Sequence, residues 1–582
     1  MNWRADAETT GVLPYQPRPM RRRALARLFS LNGHEAVCDD RGALAEDIAW
    51  AQAKGRVPLR DWPRARLFTG LHRLQPWWRP PLEAWRSLDF LRRQFPDARF
   101  ILTVRDPDSW LLDRMTAANG AAAKAYAAHW QVEEGELPDL WARDWQAHLD
   151  AVETCFGDDP ALIRVDTETE TLEDLRQRLA EILPMPRATR RPGWHYPHGP
   201  GLERMLLRML DPAPETPRQQ AEAFVEDVAE FCLRGRCQPG TEELNGVSPL
   251  YGEWDGGAQV FNRFGKPHPF AIGPQPGHPG EIAIARPGLS FKERRSEGVI
   301  NDILRLGRRD PVNIDMEDAR WIGAPHRNPL GKPVLCHNRR EGARNIVLWP
   351  LPEQMGPGFR GYETPSPDNI PFEDKEDRLV WRGMISGNER RKGIKPGPSS
   401  LWFLRKLAEA GEDPEAREEA WQGLCRTSRM AFIRRWFGHP DFDIGIAMAW
   451  GFRQFARDPQ IAPYCARHEG PAFFHRFRYQ LCMTGYDHGS NFIPMINSRS
   501  VLLKEEDGWE VYYSGRFKPW KHYIPVQRYC DDIAEKLAWA RENPNECKEM
   551  SRAARAEVAL LSDPVLMRAI KGRILDGLAS AG

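Results

Sequence analysis

Residues 187–200, RATRRPGWHYPHGP, break the chain into two stretches in which strand-like and helix-like segments alternate. Three prolines and two glycines within that short run deny it a continuous helix or a central strand, so it reads as a linker. Alternation of strand and helix on each side implies α/β domains built on parallel sheets. The chain has 582 residues. Single cores stop growing at roughly 250–300 residues, so two or three domains are expected.

In the first stretch, Met20–Leu31 (MRRRALARLFSL) has apolar residues at helical spacing on a basic background. Arg99–Val104 is a short apolar strand, followed by Arg105-Asp106-Pro107 and a helix from Ser109. Ala161–Val165 reads as a second buried strand, and Thr171–Leu183 as an amphipathic helix with Thr171 at its cap. Beyond the linker a helix is expected near Pro217–Leu233, then Gly- and Pro-rich loops with short strands over 234–290. Strands are expected at Asn345–Trp349, Leu379–Trp381 and Ser500–Lys504, and a helix at Asp531–Glu542.

Charge excludes some functions. Basic side chains number 82 and acidic ones 81, so no bulk field favours nucleic acid. The amino terminus MNWRADAETT lacks an apolar signal core, and no run reaches the 18 apolar residues of a spanning helix. The expectation is a cytoplasmic protein, with peripheral contact to the inner membrane face through the basic helix at Arg21–Arg27. The 10 cysteines lack paired metal-ligand spacing and are expected to be reduced thiols.

Pro96–Met115, PDARFILTVRDPDSWLLDRM, and the tail from His148 to Pro186 resemble the sulfotransferase family. The resemblance implies that Arg105, at the strand end, matches the family's ligand for the donor's 3′-phosphate. Two departures argue against catalysis. The segment matching the phosphate loop, Pro17–Leu28, has no glycine, and Pro19 lacks an N–H. The family's serine eight residues after the arginine is replaced by Asp113, whose charge would repel phosphate. The domain is expected to be inactive, with Arg105 paired to Asp106 or Asp108. Alternatives are a second, sulfating activity or a non-catalytic docking module.

The second stretch carries a loop between strand and helix, Thr484-Gly485-Tyr486-Asp487-His488-Gly489-Ser490-Asn491. Loops of this kind bind anions, because backbone N–H groups converge on the ligand. The block Tyr479–Val526, with GYDHGSN, SRSVLLK and KPWKHYIPV in order, resembles glycosyltransferase family 90. Leu379–Arg390 (LVWRGMISGNER), Ser428–Gly445, Pro311–Ala319 and Gly331–Pro350 extend the resemblance over about residues 240–560.

The family implies a GT-B architecture, two Rossmann-like lobes facing across a cleft, behind the sulfotransferase-like α/β domain. The expected domains are 1–190, a linker and helix over 191–239, an acceptor lobe over 240–375 and a donor-binding lobe over 376–582. The resemblance further implies an inverting transfer from a UDP-sugar to a glycan or glycolipid, with no metal. Protein O-glucosyltransferases of the family carry Arg where Asn491 stands, which points to the bacterial lipopolysaccharide or capsule branch. Asp318 matches the base, with Asp315 in reserve. The donor is assigned to Trp381, Arg382, Gly383, Arg390, Arg429, Gly485, Asp487, Gly489, Ser490 and Asn491, with Glu510 at the ribose. Packing is an open alternative for Trp381 and for Trp520, and surface ion pairing for each arginine.

Overall fold

The structure, a computed structural model, describes residues 19–74, 80–117, 120–188, 194, 218–236, 248–249, 258–263, 266–275, 278–284, 291–309, 312–318, 321–352, 368–391, 397–489 and 491–579. Most of the 187–200 linker, Ser490 and the first two residues of the Pro17–Leu28 segment lie outside them. The chain divides into two compact units. The first comprises Met1–Glu215, Gly273–Ala283 and Met355–Phe359, and the second comprises Thr216–Ile272, Ile284–Gln354 and Arg360–Gly582.

The first unit opens with helix α1 (Pro19–Leu31) and strand β1 (Ala36–Cys38), which pairs in parallel with β2 (Leu67–Thr69). Strand β3 (Phe100–Val104) reads FILTV, apolar but for Thr103, because both of its faces are covered. Asp106 ends the turn after it by capping α2 (Pro107–Thr116), accepting the Ser109 N–H at 2.7 Å, with Pro107 preset for the first turn. Helix α3 (Leu137–Phe156) buries Leu137, Trp141, Trp145, His148, Val152 and Phe156, one stripe at helical spacing. Strand β4 (Leu162–Asp166) pairs in parallel with β3, and α4 (Leu172–Leu179) follows, capped by Thr171 as expected.

The second unit begins with α5 (Arg218–Leu233). A hairpin pairs Ala258–Arg263 with Lys266–Ala271. One sheet is built from β5 (Ser248–Pro249), β6 (Asn313–Asp315), β7 (Val334–Cys336) and β9 (Ile346–Leu348), with α6 (Phe291–Arg305) preceding β6 and β8 (Arg339–Arg340) between β7 and β9. The order is β9-β7-β6-β5, parallel except for β5.

A larger, all-parallel sheet follows, formed by β10 (Glu376–Gly383), β11 (Phe442–Ile446), β12 (Phe477–Cys482), β13 (Val501–Glu505) and β15 (Ile524–Val526), in the order β11-β10-β12-β13-β15. Helices α7 (Ser400–Glu409), α8 (Ser428–Trp436), α9 (Phe492–Ile496), α10 (Ile533–Glu542) and α11 (Pro544–Leu561) accompany it. Leu379, Trp381, Leu481, Leu503, Ile524 and Val526 fill its core. Strand β14 (Trp509–Glu510) leaves this sheet to pair antiparallel with β8, with Arg339 opposite Glu510.

In the larger sheet the chain passes from β10 to β11 on one side and then to β12 on the other. Ligands of open parallel sheets bind at such a reversal, outside the carboxyl ends of the strands. Here those ends are Gly383–Ser386 and Met483–Gly489.

Nine cysteines lie among the described residues and all are free thiols. No described helix is long and apolar enough to cross a membrane.

Candidate active site

The loop after β12 fits its place only because of two glycines. A Cβ on Gly485 would sit 2.9 Å from Ser386 Oγ and 3.4 Å from Arg429 Nη2, and one on Gly489 would sit 2.8 Å from Cys482 Sγ. These contacts bring the segment after β10 and the loop after β12 together. Arg429, on α8, clamps both. Its guanidinium donates to Thr484 O (3.0 Å), Met483 O (2.7 Å), Met384 O (2.8 Å) and Ser386 Oγ (2.9 Å). Burial lowers the pKa of this side chain, and the buried Glu505 carboxylate opposes that effect from nearby.

Glu505 in turn accepts the N–H groups of Thr484 (2.9 Å) and Tyr529 (2.7 Å), and burial raises its pKa. The loop therefore rests on a buried framework of charge and backbone. Helix α9 after it has only five residues, too few to bring a strong helix dipole to the loop.

The other wall comes from the smaller sheet. Parallel pairing places Asp315 opposite Cys336, so the segments leaving β6 and β7 run side by side. Asp318 lies on the first, about half exposed, and its Oδ1 accepts from Arg295 Nη1 at 2.9 Å. His337 lies on the second, with its Nε2 3.6 Å from Asp318 Oδ1 and 3.8 Å from Asp487 Oδ2. Asn338 Nδ2 donates to Asp487 Oδ2 at 2.8 Å. Asp318, His337, Asn338 and Asp487 thus close one cluster, three of them from the smaller sheet and Asp487 from the loop of the larger one. Sequence reading singled out Asp318 and Asp487 but not His337 or Asn338.

The remaining sequence-predicted residues have other surroundings. Asp315 is buried and accepts the Glu317 N–H at 3.0 Å, shaping the turn that presents Asp318. Trp381 is buried in the core of the larger sheet, with the Arg429 guanidinium 5.7 Å from its ring centroid. Gly383 is required there, because a Cβ would lie 2.7 Å from the Trp381 ring.

Arg382 pairs with Asp443 on the neighbouring strand and donates to Asp443 O at 2.7 Å. Arg390 reaches both oxygens of Asp531, at 2.6 and 2.9 Å, over the Tyr529 ring. Asn491 Nδ2 contacts Met495 Sδ at 3.0 Å. Glu510 pairs through Oε2 with Arg339 (2.8 Å) and through Oε1 with Arg234. Arg339 also donates to the carbonyls of Phe231, Cys232 and Ile346. Glu510 Oε2 therefore ties β14 to β8, and Oε1 ties it to Arg234 just past α5.

In the first unit, Arg105 Nη1 meets Asp113 Oδ2 at 2.6 Å, with both side chains buried. The expected partners Asp106 and Asp108 are replaced by Asp113, because Asp106 is spent on the cap of α2 and Asp113 lies two helical turns further along, facing back onto the strand end.

Sequence comparison agrees with this division. Residues 463–565 match the glycosyl transferase family 90 model, and residues 52–166 match the sulfotransferase family model. Protein O-glucosyltransferase 3 of Mus musculus is 28% identical over 106 residues, 18% of this chain and 21% of the mouse protein. Protein O-glucosyltransferase 1 of Rattus norvegicus is 21% identical over 209 residues, 35% of this chain and 43% of the rat protein. Uncharacterized protein 179R of Invertebrate iridescent virus 6 is 39% identical over 195 residues, 32% of this chain and 15% of the viral protein. The chain spans about a fifth of the length of the mouse relative. One polypeptide therefore carries a segment that matches the sulfotransferase family model and a later one that matches the glycosyl transferase family 90 model.

Proposed function

We propose that the second unit is an inverting glycosyltransferase of GT-B architecture that moves a sugar from a UDP-sugar to a hydroxyl acceptor. The observation that carries the reading is the meeting of Asp318, the loop Gly485–Asn491 and the segment after β10 in one place. Single displacement needs a base at the acceptor oxygen and donors at the leaving diphosphate. Asp318, exposed and held by Arg295, is suited to receive the acceptor proton. The loop and the Arg429 clamp face the departing UDP. Arg382 and Arg390 reach the diphosphate only by exchanging their present carboxylate partners, Asp443 and Asp531.

The acceptor proposed is a bacterial surface glycan or glycolipid, of the lipopolysaccharide-core or capsule type, on the strength of Asn491 in place of arginine. Acceptor presentation at the cytoplasmic face of the membrane is part of the same proposal. A protein hydroxyl is the second reading, favoured by the relatives named protein O-glucosyltransferases. Thermal unfolding with UDP-glucose, UDP-xylose, UDP-galactose and UDP-N-acetylglucosamine tests the donor. Stabilisation by at least one is expected, and neither stabilisation nor donor hydrolysis with any of them contradicts the proposal. Products formed on deacylated lipopolysaccharide and on a serine-bearing folded domain separate the two acceptor readings.

A further inference from the structure

The first unit holds a cavity of about 630 Å³, within the range of pockets that take small ligands. Helix Ala43–Lys54 lines it with Ala49, Gln52 and Ala53. That spacing of i, i+3 and i+4 puts the three on one helix face, and the two alanines leave room that larger side chains would fill. Glu83, Arg86, Tyr126, Trp130 and Asp144 supply the charged and aromatic part of the lining.

The charges at the cavity cancel. Glu83 meets Arg114 and Arg86, and Asp144 meets Arg86. Burial would raise the pKa of Glu83, but the two guanidinium groups and the Tyr126 hydroxyl bring it down to about 2. Two carboxylates thus stand against two guanidinium groups. An ionic ligand would bring a charge with no counterpart, so the lining selects a neutral one.

Hydrogen-bonding capacity is left over on the same lining. Gln52 takes the Ser87 hydroxyl on Oε1 at 2.7 Å, and its Nε2 has no acceptor among the described residues. Arg86 spends Nε and Nη2 on Glu83 and Asp144, which leaves Nη1. Asp144 accepts that arginine on Oδ2, which leaves Oδ1. The indole N–H of Trp130 meets no described residue. Donors and an acceptor interleaved in this way suit a polyol, whose every hydroxyl donates one hydrogen bond and accepts two.

The apolar half of the ligand is selected by Trp130. It is half-buried and braced edge-on by Tyr126, with ring centroids 5.0 Å apart. A rigid indole offers a broad apolar face with one polar handle. A purely aliphatic ligand would leave each polar group it covers unpaired, at about 1–3 kcal/mol apiece. A small polar ligand would leave the indole face wet.

We propose that this cavity binds an uncharged saccharide, a sugar ring lying against Trp130 with its hydroxyls on Gln52, Arg86 and Asp144. The first unit then holds a glycan without reacting on it. The proposal needs no sulfate donor and does not rest on transfer by the second unit.

The test is saturation-transfer NMR of the full chain without nucleotide. The neutral probes are xylotetraose, maltotetraose, cellotetraose and N-acetylchitotetraose, and a heparin tetrasaccharide is the charged one. Transfer to at least one neutral probe is expected, and none to heparin. Titration of that probe should show affinity at least about tenfold weaker in Trp130→Ala and Gln52→Ala. Trp402→Ala, an exposed tryptophan of the second unit, should bind as wild type does. Should Trp130→Ala fail to fold, Gln52→Ala decides, because Gln52 is exposed. No transfer to any neutral probe, transfer to heparin alone, or unchanged affinity in both variants overturns the inference. The readout contains no UDP, so a chain that binds the probe through Trp130 but transfers no sugar keeps this site and sinks the transferase reading.

Discussion

Arg105 and Asp113 hold each other in a buried ion pair, Nη1 to Oδ2 at 2.6 Å, at the strand end where the sulfotransferase family places its phosphate-binding arginine. The guanidinium that would meet a 3′-phosphate is neutralised from within the domain, and a carboxylate stands in the phosphate's way. Adenosine 3′,5′-bisphosphate should therefore not bind, which isothermal titration of the full chain checks. Arg105→Ala leaves Asp113 buried without its cation and should destabilise the first unit by about 3–5 kcal/mol.

Arg339 and Glu510 make a different kind of prediction. Arg339 serves one carboxylate and three backbone carbonyls at once. A lysine is a point charge and cannot span them. Arg339→Lys and Arg339→Ala should both lower the unfolding midpoint, each by the equivalent of about 3 kcal/mol. Urea unfolding followed by tryptophan fluorescence would show it, and a midpoint within error of wild type for Lys would refute the multiple-acceptor role.

Acid sensitivity follows from His488. Burial drives its pKa down from 6.5 to about 4. The folded chain therefore binds fewer protons here than the unfolded chain between those values. Stability contributed by the neutral ring is present above pH 6.5 and is lost as the pH falls toward 4, by up to about 3 kcal/mol. His148, in the first unit, is likewise held down to about 4, chiefly by burial and then by Arg86. Unfolding midpoints from pH 7.5 to 4.5 should fall steeply, and His488→Gln should flatten the part of that fall belonging to the second unit.

The loop after β12 should be intolerant of a single methyl group. Gly485→Ala places a Cβ against Ser386 and Arg429, so the loop must retreat. A misplacement of about 1 Å near reacting groups costs about a hundredfold in rate. The expected outcome is transfer reduced by about that factor with little change in thermal stability. Full activity in Gly485→Ala would show that the loop does not touch the donor.

Much of the fold was legible because local patterns decide it. The strand at Leu379–Trp381 lies inside β10, that at Ser500–Lys504 overlaps β13, and the Thr171 cap forms. Charge partners were not legible. Asp443 reaches Arg382 because β11 lies beside β10 in register, and Asp113 reaches Arg105 through a helical return. His337 and Asn338 carried no signal in CHNRR, since only the parallel pairing of β6 and β7 brings them to Asp318.

The central claim is that Asp318 takes the acceptor proton while the loop Gly485–Asn491 holds the donor. It is tested most directly by measuring UDP binding and sugar transfer in parallel for wild type and Asp318→Asn. The account predicts that UDP binding persists in the variant within about a factor of ten and that transfer falls by at least about a thousandfold, in keeping with loss of a general base on top of its site. Transfer surviving in Asp318→Asn at a rate near wild type would contradict it.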